Sequence, residues 1–175
     1  MFKKILTATD GSDHGTKAVE LASELAAKYG AKLVLVHVLQ HGRVPESVQK
    51  MLEAEHLIES RQPQYPQVAH IAGGLVTAMG TGAQASDASY RVFEALGDHM
   101  LETAKQVARD HGVKDIRKVI EDGDPAQRIL ACADRENADL VVVGSRGLSD
   151  LKGMLMGSVS HKLIQLAKCT CIAVK

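Results

Sequence analysis

Short apolar segments alternate with amphipathic ones along most of the chain. The segments that have the length and composition of strands are residues 5–9, 32–38, 116–121, 139–143 and 171–174. They are rich in β-branched residues and leucine, and at least one of them is apolar on both faces, which is typical of parallel strands covered by helices above and below. The pattern therefore predicts strands of a parallel sheet at these positions.

Between these segments, apolar residues recur at steps of three and four, as they do on one face of a helix. Helical stripes of this kind cover residues 18–29, 95–111, 125–136 and 158–167. Gly30 is suited to end the first helix, and Asp124 and Pro125 suit the N-cap and first turn of the third. This alternation predicts βαβ units assembled into an open, doubly wound α/β fold.

Residues 41–90 interrupt the alternation. They contain three of the four prolines and a cluster of glycines, and the clearest helical pattern within them lies near residues 46–60. A long stretch with little periodicity inside a compact domain is usually a mobile or functional insertion. We expect residues 62–85 to be the least ordered part of the chain.

The composition changes this picture little. A chain of 175 residues with 45% apolar residues is long enough for one domain with a real core. Its 21 basic and 21 acidic residues give a formal net charge of 0, which disfavours a nucleic-acid-binding role. Apolar runs fall far short of the roughly 20 residues that span a bilayer, and polar residues interrupt any signal peptide, so a cytoplasmic protein without membrane insertion is expected.

Several common catalytic chemistries find no support in the sequence. Three cysteines are too few for a disulfide framework, and Cys169 and Cys171 are interpreted as small residues entering a buried strand rather than as metal ligands. The seven histidines other than His37 lack the H-x-x-x-H spacing among themselves, and the G-x-S-x-G elbow is absent. Residues 80–85 match a loose dinucleotide pattern, but they do so outside a strand-turn-helix unit.

A glycine pattern follows the fourth predicted strand. Its members are Gly144, Gly147, Gly157 and Ser158, in the spacing G-x2-G-x9-G-[ST]. Glycine lets the backbone approach a ligand closely, and the N–H groups at a turn or helix start bind anions. The pattern favours a phosphate site, to which Arg146 would add a cation and the Ser158 and Ser160 hydroxyls further donors. The alternative is that the glycines only form turns between strand and helix.

Taken together, these motifs resemble the universal stress protein family. The resemblance rests on the glycine spacing and on K-I-L-T-A-T-D-G-S at 4–12, V-H-V at 36–38, G-D-P-A at 123–126, G-S-V-S at 157–160 and C-T-C at 169–171. It covers residues 1–40 and about 95–175. It implies a single Rossmann-like domain, akin to the adenine nucleotide alpha hydrolases, with a five-stranded parallel sheet and helices on both faces. It also implies a homodimer through the final strand, from Cys171 to Val174.

The intact glycine motif resembles that of the ATP-binding subclass of the family. By this resemblance, the nucleotide-binding positions would be Thr9, Asp10, Val38, Gly144, Arg146, Gly147, Gly157, Ser158, Val159 and Ser160. Asp10 would lie beside the ribose or the phosphates, and Val38 would contact adenine through its backbone. Asp10 has an alternative role as the N-cap of a helix beginning near Asp13, and His37 is interpreted as a core histidine rather than a ligand.

The function expected from these features is that of a nucleotide-dependent regulator in a stress response, with ATP and accompanying Mg²⁺. Little or no hydrolysis is expected, because no complete catalytic set accompanies the phosphate site. The alternatives are a slow ATPase or a protein autophosphorylated at Ser158 or Ser160, and an interaction module or cyclic AMP binder with an unknown protein partner. Replacing Gly144 or Gly157 by valine is expected to weaken binding and leave folding intact.

Overall fold

The structure is a computed structural model that describes residues 2–39, 81–148 and 156–175. For residues 81–89 it describes the backbone but not the side chains. The chain divides into two compact units, one formed by Met1–Gln40 with Gly97–Lys175 and the other by His41–Leu96. Within the second unit, residues 81–96 are helical. The sheet and the residues of the candidate site belong to the first unit.

Five strands and four helices are described. In chain order they are β1 (Lys4–Ala8), α1 (Asp13–Tyr29), β2 (Lys32–Leu39), α2 (Thr81–Asp110), β3 (Ile116–Asp122), α3 (Pro125–Glu136), β4 (Leu140–Gly144), α4 (Ser158–Leu166) and β5 (Thr170–Val174). Each strand begins and ends within one residue of its predicted bounds. Among the described residues, no helix is long and apolar enough to cross a membrane.

The strands form one parallel sheet in the order β3-β2-β1-β4-β5. Ile5 of β1 pairs with Leu33 of β2 on one side and with Leu140 of β4 on the other. The chain therefore builds outward from β1 through β2 to β3, and then returns to the other side of β1 for β4 and β5. This topology confirms the predicted five-stranded, doubly wound α/β fold of the Rossmann-like type.

Each face of the sheet has its own apolar core, because successive side chains of a strand point to opposite faces. The first core joins Ile5, Leu33, Leu35, Leu140 and Val142 to Ala18, Ala22 and Ala26 of α1 and to Leu101, Ala104 and Ala108 of α2. The second joins Leu6, Val34, Val36, Val141 and Val143 to Ile129, Cys132 and Ala133 of α3 and to Leu163 of α4. Alanine dominates the buried stripe of α1, so this helix can lie close to the sheet.

The helix ends show which sequence signals were correct. Gly30 ends α1 in the left-handed conformation at φ 63°, and the Asp124 side chain caps α3 by accepting a hydrogen bond from the Gln127 N–H at 2.9 Å, with Pro125 beginning the helix. The N-cap of α1 is Ser12, whose hydroxyl accepts from the Gly15 N–H at 3.2 Å. The alternative interpretation of Asp10 as this N-cap is wrong.

Helix α2 begins 14 residues before the helix predicted at 95–111 and contains 30 residues. Residues 81–90, which the sequence pattern assigned to an irregular insertion, are therefore helical. This segment includes good helix formers such as Ala83 and Gln84, whereas the neighbouring glycines and the polar composition obscured the periodicity. The helix predicted near 46–60, and residues 62–80, lie outside the described part of the chain.

The three cysteines pack in or against the second core. Cys132 is fully buried in the second core, and Cys169 and Cys171 are partly buried against it. Burial raises the pKa of all three thiols above the ordinary value for cysteine, which disfavours the reactive thiolate form. The interpretation of the C-T-C segment as the entry to a buried strand is wrong, because β5 lies at the edge of the described sheet and its residues are partly or fully exposed.

Replacing Leu163 by alanine tests whether α4 is held by the second core. Leu163 is fully buried, so the substitution should lower the free energy of unfolding by about 2–5 kcal/mol. Leu166 on the same helix is 61% exposed, and its replacement by alanine should change that free energy by less than about 0.5 kcal/mol. Urea denaturation of both variants measures the difference, and equal effects would contradict the assigned burial.

Candidate functional site

A cavity of about 170 Å³ lies at the carboxyl edge of the sheet, in the region of the β1–β4 switch point. In open α/β sheets this is where ligands generally bind, because the connections on the two sides lead away to opposite faces. All ten sequence-predicted positions line this cavity: Thr9, Asp10, Val38, Gly144, Arg146, Gly147, Gly157, Ser158, Val159 and Ser160. The fold therefore brings together residues that are up to 151 positions apart (9 to 160) in the sequence.

Six further residues line the cavity that the sequence analysis did not assign to it. They are Ala8, Gly15, Pro125, Ile129, Val143 and Leu148. For most of them, their position at the end of a predicted strand or the start of a predicted helix could have indicated that they line the cavity. Ala8 and Val143 lie at or next to the carboxyl ends of predicted strands, and Pro125 and Ile129 are one turn apart at the start of a predicted helix.

The lining has two kinds of chemistry. The apolar part consists of Ala8, Val38, Pro125, Ile129 and Val143, from β1, β2, α3 and β4. The polar part comes from the segment after β1, the segment after β4 and the start of α4. A ligand with a flat, weakly polar portion and an anionic portion would match both kinds of surface.

The start of α4 supplies backbone donors to the cavity. The first intrahelical hydrogen bond runs from the His161 N–H to the Gly157 carbonyl at 3.0 Å. The preceding N–H groups, those of Ser158, Val159 and Ser160, therefore have no acceptor within the helix, and all three residues line the cavity. Together with the positive end of the helix dipole, they form a site suited to an anion.

The hydroxyl of Ser160 is used inside the protein. It donates to the Ser145 carbonyl at 2.8 Å, with the Gly157 carbonyl a second acceptor at 3.0 Å, and the residue is buried. The expectation that this hydroxyl adds a donor for phosphate is therefore wrong, and Ser160 can contribute its backbone N–H. Ser158 is exposed, so its hydroxyl remains at the surface of the site.

The Ser145 peptide groups hold the start of α4 in place. The Ser145 carbonyl accepts from the Gly157 N–H at 2.7 Å as well as from Ser160. The Ser145 N–H donates to the Val174 carbonyl at the end of β5, at 2.6 Å. One residue thus connects the end of β4 to both the start of α4 and the last strand.

The glycines of the motif serve different purposes. A Cβ atom on Gly144 would lie 2.8 Å from the His14 carbonyl carbon and 2.9 Å from the Gly15 nitrogen, so this glycine lets the first turn of α1 approach the end of β4. A Cβ atom on Gly157 would meet its nearest neighbours at 3.5 Å, an ordinary contact. The expectation that valine at 144 leaves folding intact is therefore wrong.

Asp10 is engaged by protein donors on both of its oxygens. Its Oδ1 accepts from the Ser12 N–H at 3.1 Å and from the Ser12 hydroxyl at 2.6 Å, and its Oδ2 accepts from the Leu148 N–H at 3.0 Å. A Cβ atom on Gly147 would overlap Oδ2. Asp10 thus lies in the cavity wall as part of a hydrogen-bonded junction between β1, α1 and the segment after β4.

The end of β2 presents main-chain groups to the cavity. The last pair between β1 and β2 is Ala8 with Val36, and the Thr9 N–H donates to the Val36 carbonyl at 3.0 Å. Because alternate residues of a strand direct their peptide groups to the same side, those of Val38 face the space beyond the end of β1. His37 is buried, and its Nδ1 hydrogen-bonds the Thr9 carbonyl at 2.9 Å, which supports its interpretation as a core residue.

The whole chain is similar to one known protein family. The universal stress protein family model matches residues 1–175. The chain belongs to the universal stress protein family. A relative, Universal stress protein YxiE of Bacillus subtilis (strain 168), is 33% identical over 177 residues, which cover 100% of each chain. The family resemblance of the sequence motifs is thereby confirmed.

Solved structures of the family share the fold of this universal stress protein. One, in complex with cAMP, has a TM-score of 0.63 and 24% identity and covers 99% of this chain and 97% of that chain. Another, from Archaeoglobus fulgidus in complex with dAMP, has a TM-score of 0.57 and 19% identity and covers 99% and 98%. At such identities, the comparison establishes the common fold.

Alanine substitutions at two glycines of the motif test the different purposes assigned to them. Gly144→Ala places a methyl group against the backbone of α1 and should lower the free energy of unfolding by about 1–3 kcal/mol. Gly157→Ala meets no such obstruction and should change it by less than about 1 kcal/mol. Denaturant unfolding measures both values, and an equally stable Gly144→Ala variant would contradict the close approach of α1 and β4.

Proposed function

We propose that this universal stress protein binds an adenine nucleotide, with ATP as its ligand, and acts as a nucleotide-dependent regulator in a stress response. The observation that carries the proposal is the start of α4, where three N–H groups without intrahelical acceptors belong to the lining of a cavity that also has an apolar wall. The ten positions suggested by the sequence would be its binding residues.

The apolar part of the cavity is the proposed adenine site. Val38, Ile129 and Val143 offer aliphatic surface for a flat ring, and the peptide groups of Val38 face the same space. A backbone N–H beside a C=O complements the alternating acceptor and donor on the edge of adenine, whereas the corresponding edge of guanine has these groups reversed. This arrangement supports a preference for adenine over guanine.

The polar part is the proposed phosphate site. The N–H groups of Ser158, Val159 and Ser160 provide donors together with the positive helix end, and Arg146 lines the same cavity as a permanent cation. Gly157 lacks a side chain that would cover these donors. Phosphate groups, which carry several acceptor oxygens and negative charge, suit this set better than a neutral ligand does.

A regulatory role without rapid hydrolysis is supported by the state of Asp10. Among the described residues, it is the acidic residue of the cavity lining, and its oxygens accept three hydrogen bonds from the protein. A general base must be free to accept a proton from an attacking water, and a magnesium ligand must offer an oxygen to the ion. We therefore propose that Mg²⁺ is bound chiefly through the phosphates.

The regulatory output is proposed to involve a homodimer through the final strand, from Cys171 to Val174, in the cytoplasm, together with a protein partner of unknown identity. β5 is an edge strand of the described sheet, and an edge carries backbone groups that a second strand can pair with. The hydrogen bond from Ser145 to Val174 connects this edge to the segment that lines the cavity.

Identification of the bound ligand is the direct test. The purified protein is denatured, any released nucleotide is identified by mass, and thermal unfolding is repeated with ATP and Mg²⁺, ATP with EDTA, cAMP, dAMP and GTP. A ligand at about 100 times its dissociation constant should stabilise the protein by roughly 2.7 kcal/mol. Related structures contain cAMP and dAMP. Stabilisation by these two nucleotides but not by ATP would support the proposed adenine site and contradict ATP as the ligand. No response to any adenine nucleotide would refute the proposal.

Replacing Arg146 by glutamine tests the phosphate site. Loss of a charged hydrogen bond, about 1.5–3 kcal/mol, should weaken ATP binding by roughly tenfold or more, while adenosine binding should change by less than about twofold. Arg109→Gln is the matched control. Arg109 is exposed in the last turn of α2, so this substitution removes the same charge at a position that does not line the cavity. Isothermal titration measures both ligands, and equal losses for ATP and adenosine would contradict a phosphate contact.

A further inference from the structure

Two lysine–aspartate ion pairs connect α3 to α4 and the residues that follow it. Lys162 Nζ lies 3.8 Å from Asp124 Oδ2, and Lys168 Nζ lies 2.7 Å from Asp134 Oδ2. Asp124 is the N-cap of α3, whereas Asp134 lies in its last turn, ten residues or about 15 Å farther along the helix. We refer to the Lys162–Asp124 pair as the rim pair and to the Lys168–Asp134 pair as the far pair.

The rim pair borders the candidate site. Pro125, the residue after Asp124, lines the cavity, and so do Ser158 and Val159, which precede Lys162 by one helical turn. Side chains of a helix lean toward its N-terminus, and the contact of Lys162 with the N-cap of α3 agrees with this direction. The Lys162 ammonium group therefore lies at the outer edge of the cavity, between the starts of α3 and α4.

The rim pair is easily exchanged for another partner. The Lys162 side chain is 52% exposed and the Asp124 side chain 41%. An ion pair that is exposed to this degree adds little to stability, because water screens it and competes for both groups. Asp124 is also held independently of Lys162, since its Oδ1 accepts a hydrogen bond from the Gln127 N–H at 2.9 Å. Lys162 can leave Asp124 without loss of the helix cap.

The backbone that carries Lys162 is fixed, so such an exchange needs only a side-chain movement. The next residue, Leu163, is fully buried in the second core. The start of α4 is bound to the Ser145 carbonyl by the Gly157 N–H and the Ser160 hydroxyl. A flexible lysine side chain on a fixed helix can change its partner while the donors at the start of α4 stay in place.

Relying on the proposed nucleotide site, we propose that Lys162 determines a preference for ATP over cAMP: when ATP binds, Lys162 exchanges the Asp124 carboxylate for a terminal phosphate. The carboxylate carries one negative charge, and so does the cyclic phosphate of cAMP. A terminal phosphate carries about 1.5 to 2 negative charges at neutral pH. Because the attraction of a cation grows with the charge of its partner, the exchange favours ATP and gives little advantage to cAMP.

Replacing Lys162 by glutamine removes the charge and keeps much of the side chain. ATP binding should weaken about three- to tenfold, whereas binding of cAMP and of adenosine should change by less than about twofold. Lys168→Gln is the matched control, because it breaks the far pair between the same two parts of the fold, and it should bind all three ligands normally. Isothermal titration of the full chain measures these affinities. Equal losses for ATP and cAMP, or the same loss of ATP binding in Lys168→Gln, would overturn the proposal.

Replacing Asp124 by asparagine tests the competition for Lys162. Asparagine is also a favourable N-cap, so the helix start is kept while the competing charge is removed. ATP binding should strengthen about threefold in the native background, and by less than about 1.5-fold when Lys162 is already glutamine. Asp134→Asn, the corresponding change in the far pair, should have no effect. If Asp124 acted by repelling the phosphates directly, the gain would be equal in both backgrounds, and that result would contradict the exchange.

Inorganic tripolyphosphate distinguishes a failure of this proposal from a failure of the nucleotide function. It has the phosphate chain without the base, and Lys162→Gln should weaken its binding about as much as that of ATP. If the native protein binds tripolyphosphate in this Lys162-dependent way but binds no adenine nucleotide, the nucleotide function fails and the phosphate contact of Lys162 stands. If native protein and Lys162→Gln bind ATP equally well, the nucleotide function stands and the role of Lys162 fails. Binding of neither ligand would overturn both.

Discussion

The fold depends on the burial of β1 from every direction. Its neighbours in the sheet are β2 and β4, and its side chains alternate between two apolar cores that different helices cover. A strand enclosed in this way can be built only if the chain first extends the sheet on one side of it and then returns to the other. The return separates the connections that leave β1 and β4, and the cavity opens at the carboxyl edge near that switch point.

The cavity combines main-chain groups from several elements, each of which is fixed by packing elsewhere. The start of α4 is held by hydrogen bonds to the Ser145 carbonyl, and the body of α4 is held by Leu163 in the second core. The start of α1 lies against Gly144. A site built from such parts is largely formed before a ligand arrives, so binding needs little ordering of the backbone.

Much of the fold follows from the sequence because each strand is apolar enough to be buried and each helix has a continuous apolar stripe. The ten positions that the family resemblance suggested, among them the glycine motif, line one cavity. Sequence reasoning did not find the purposes of individual residues. The contact between Gly144 and α1, the hydrogen bond from Leu148 to Asp10 and the one from Ser160 to Ser145 join residues that are not neighbours in the chain, so no local pattern reveals them. The early start of α2 was missed because its first turns lack a clear apolar stripe.

Much of the cavity lining consists of main-chain groups, so many side-chain substitutions leave it unchanged. Three N–H groups at the start of α4, and the peptide groups of Val38, are determined by the path of the backbone and not by the identity of the side chains. Mutations that preserve the path leave these groups in place, so the glycines and the polar side chains that hold the path constrain this surface most. Substitution of most other side chains therefore leaves the main-chain part of this surface unchanged.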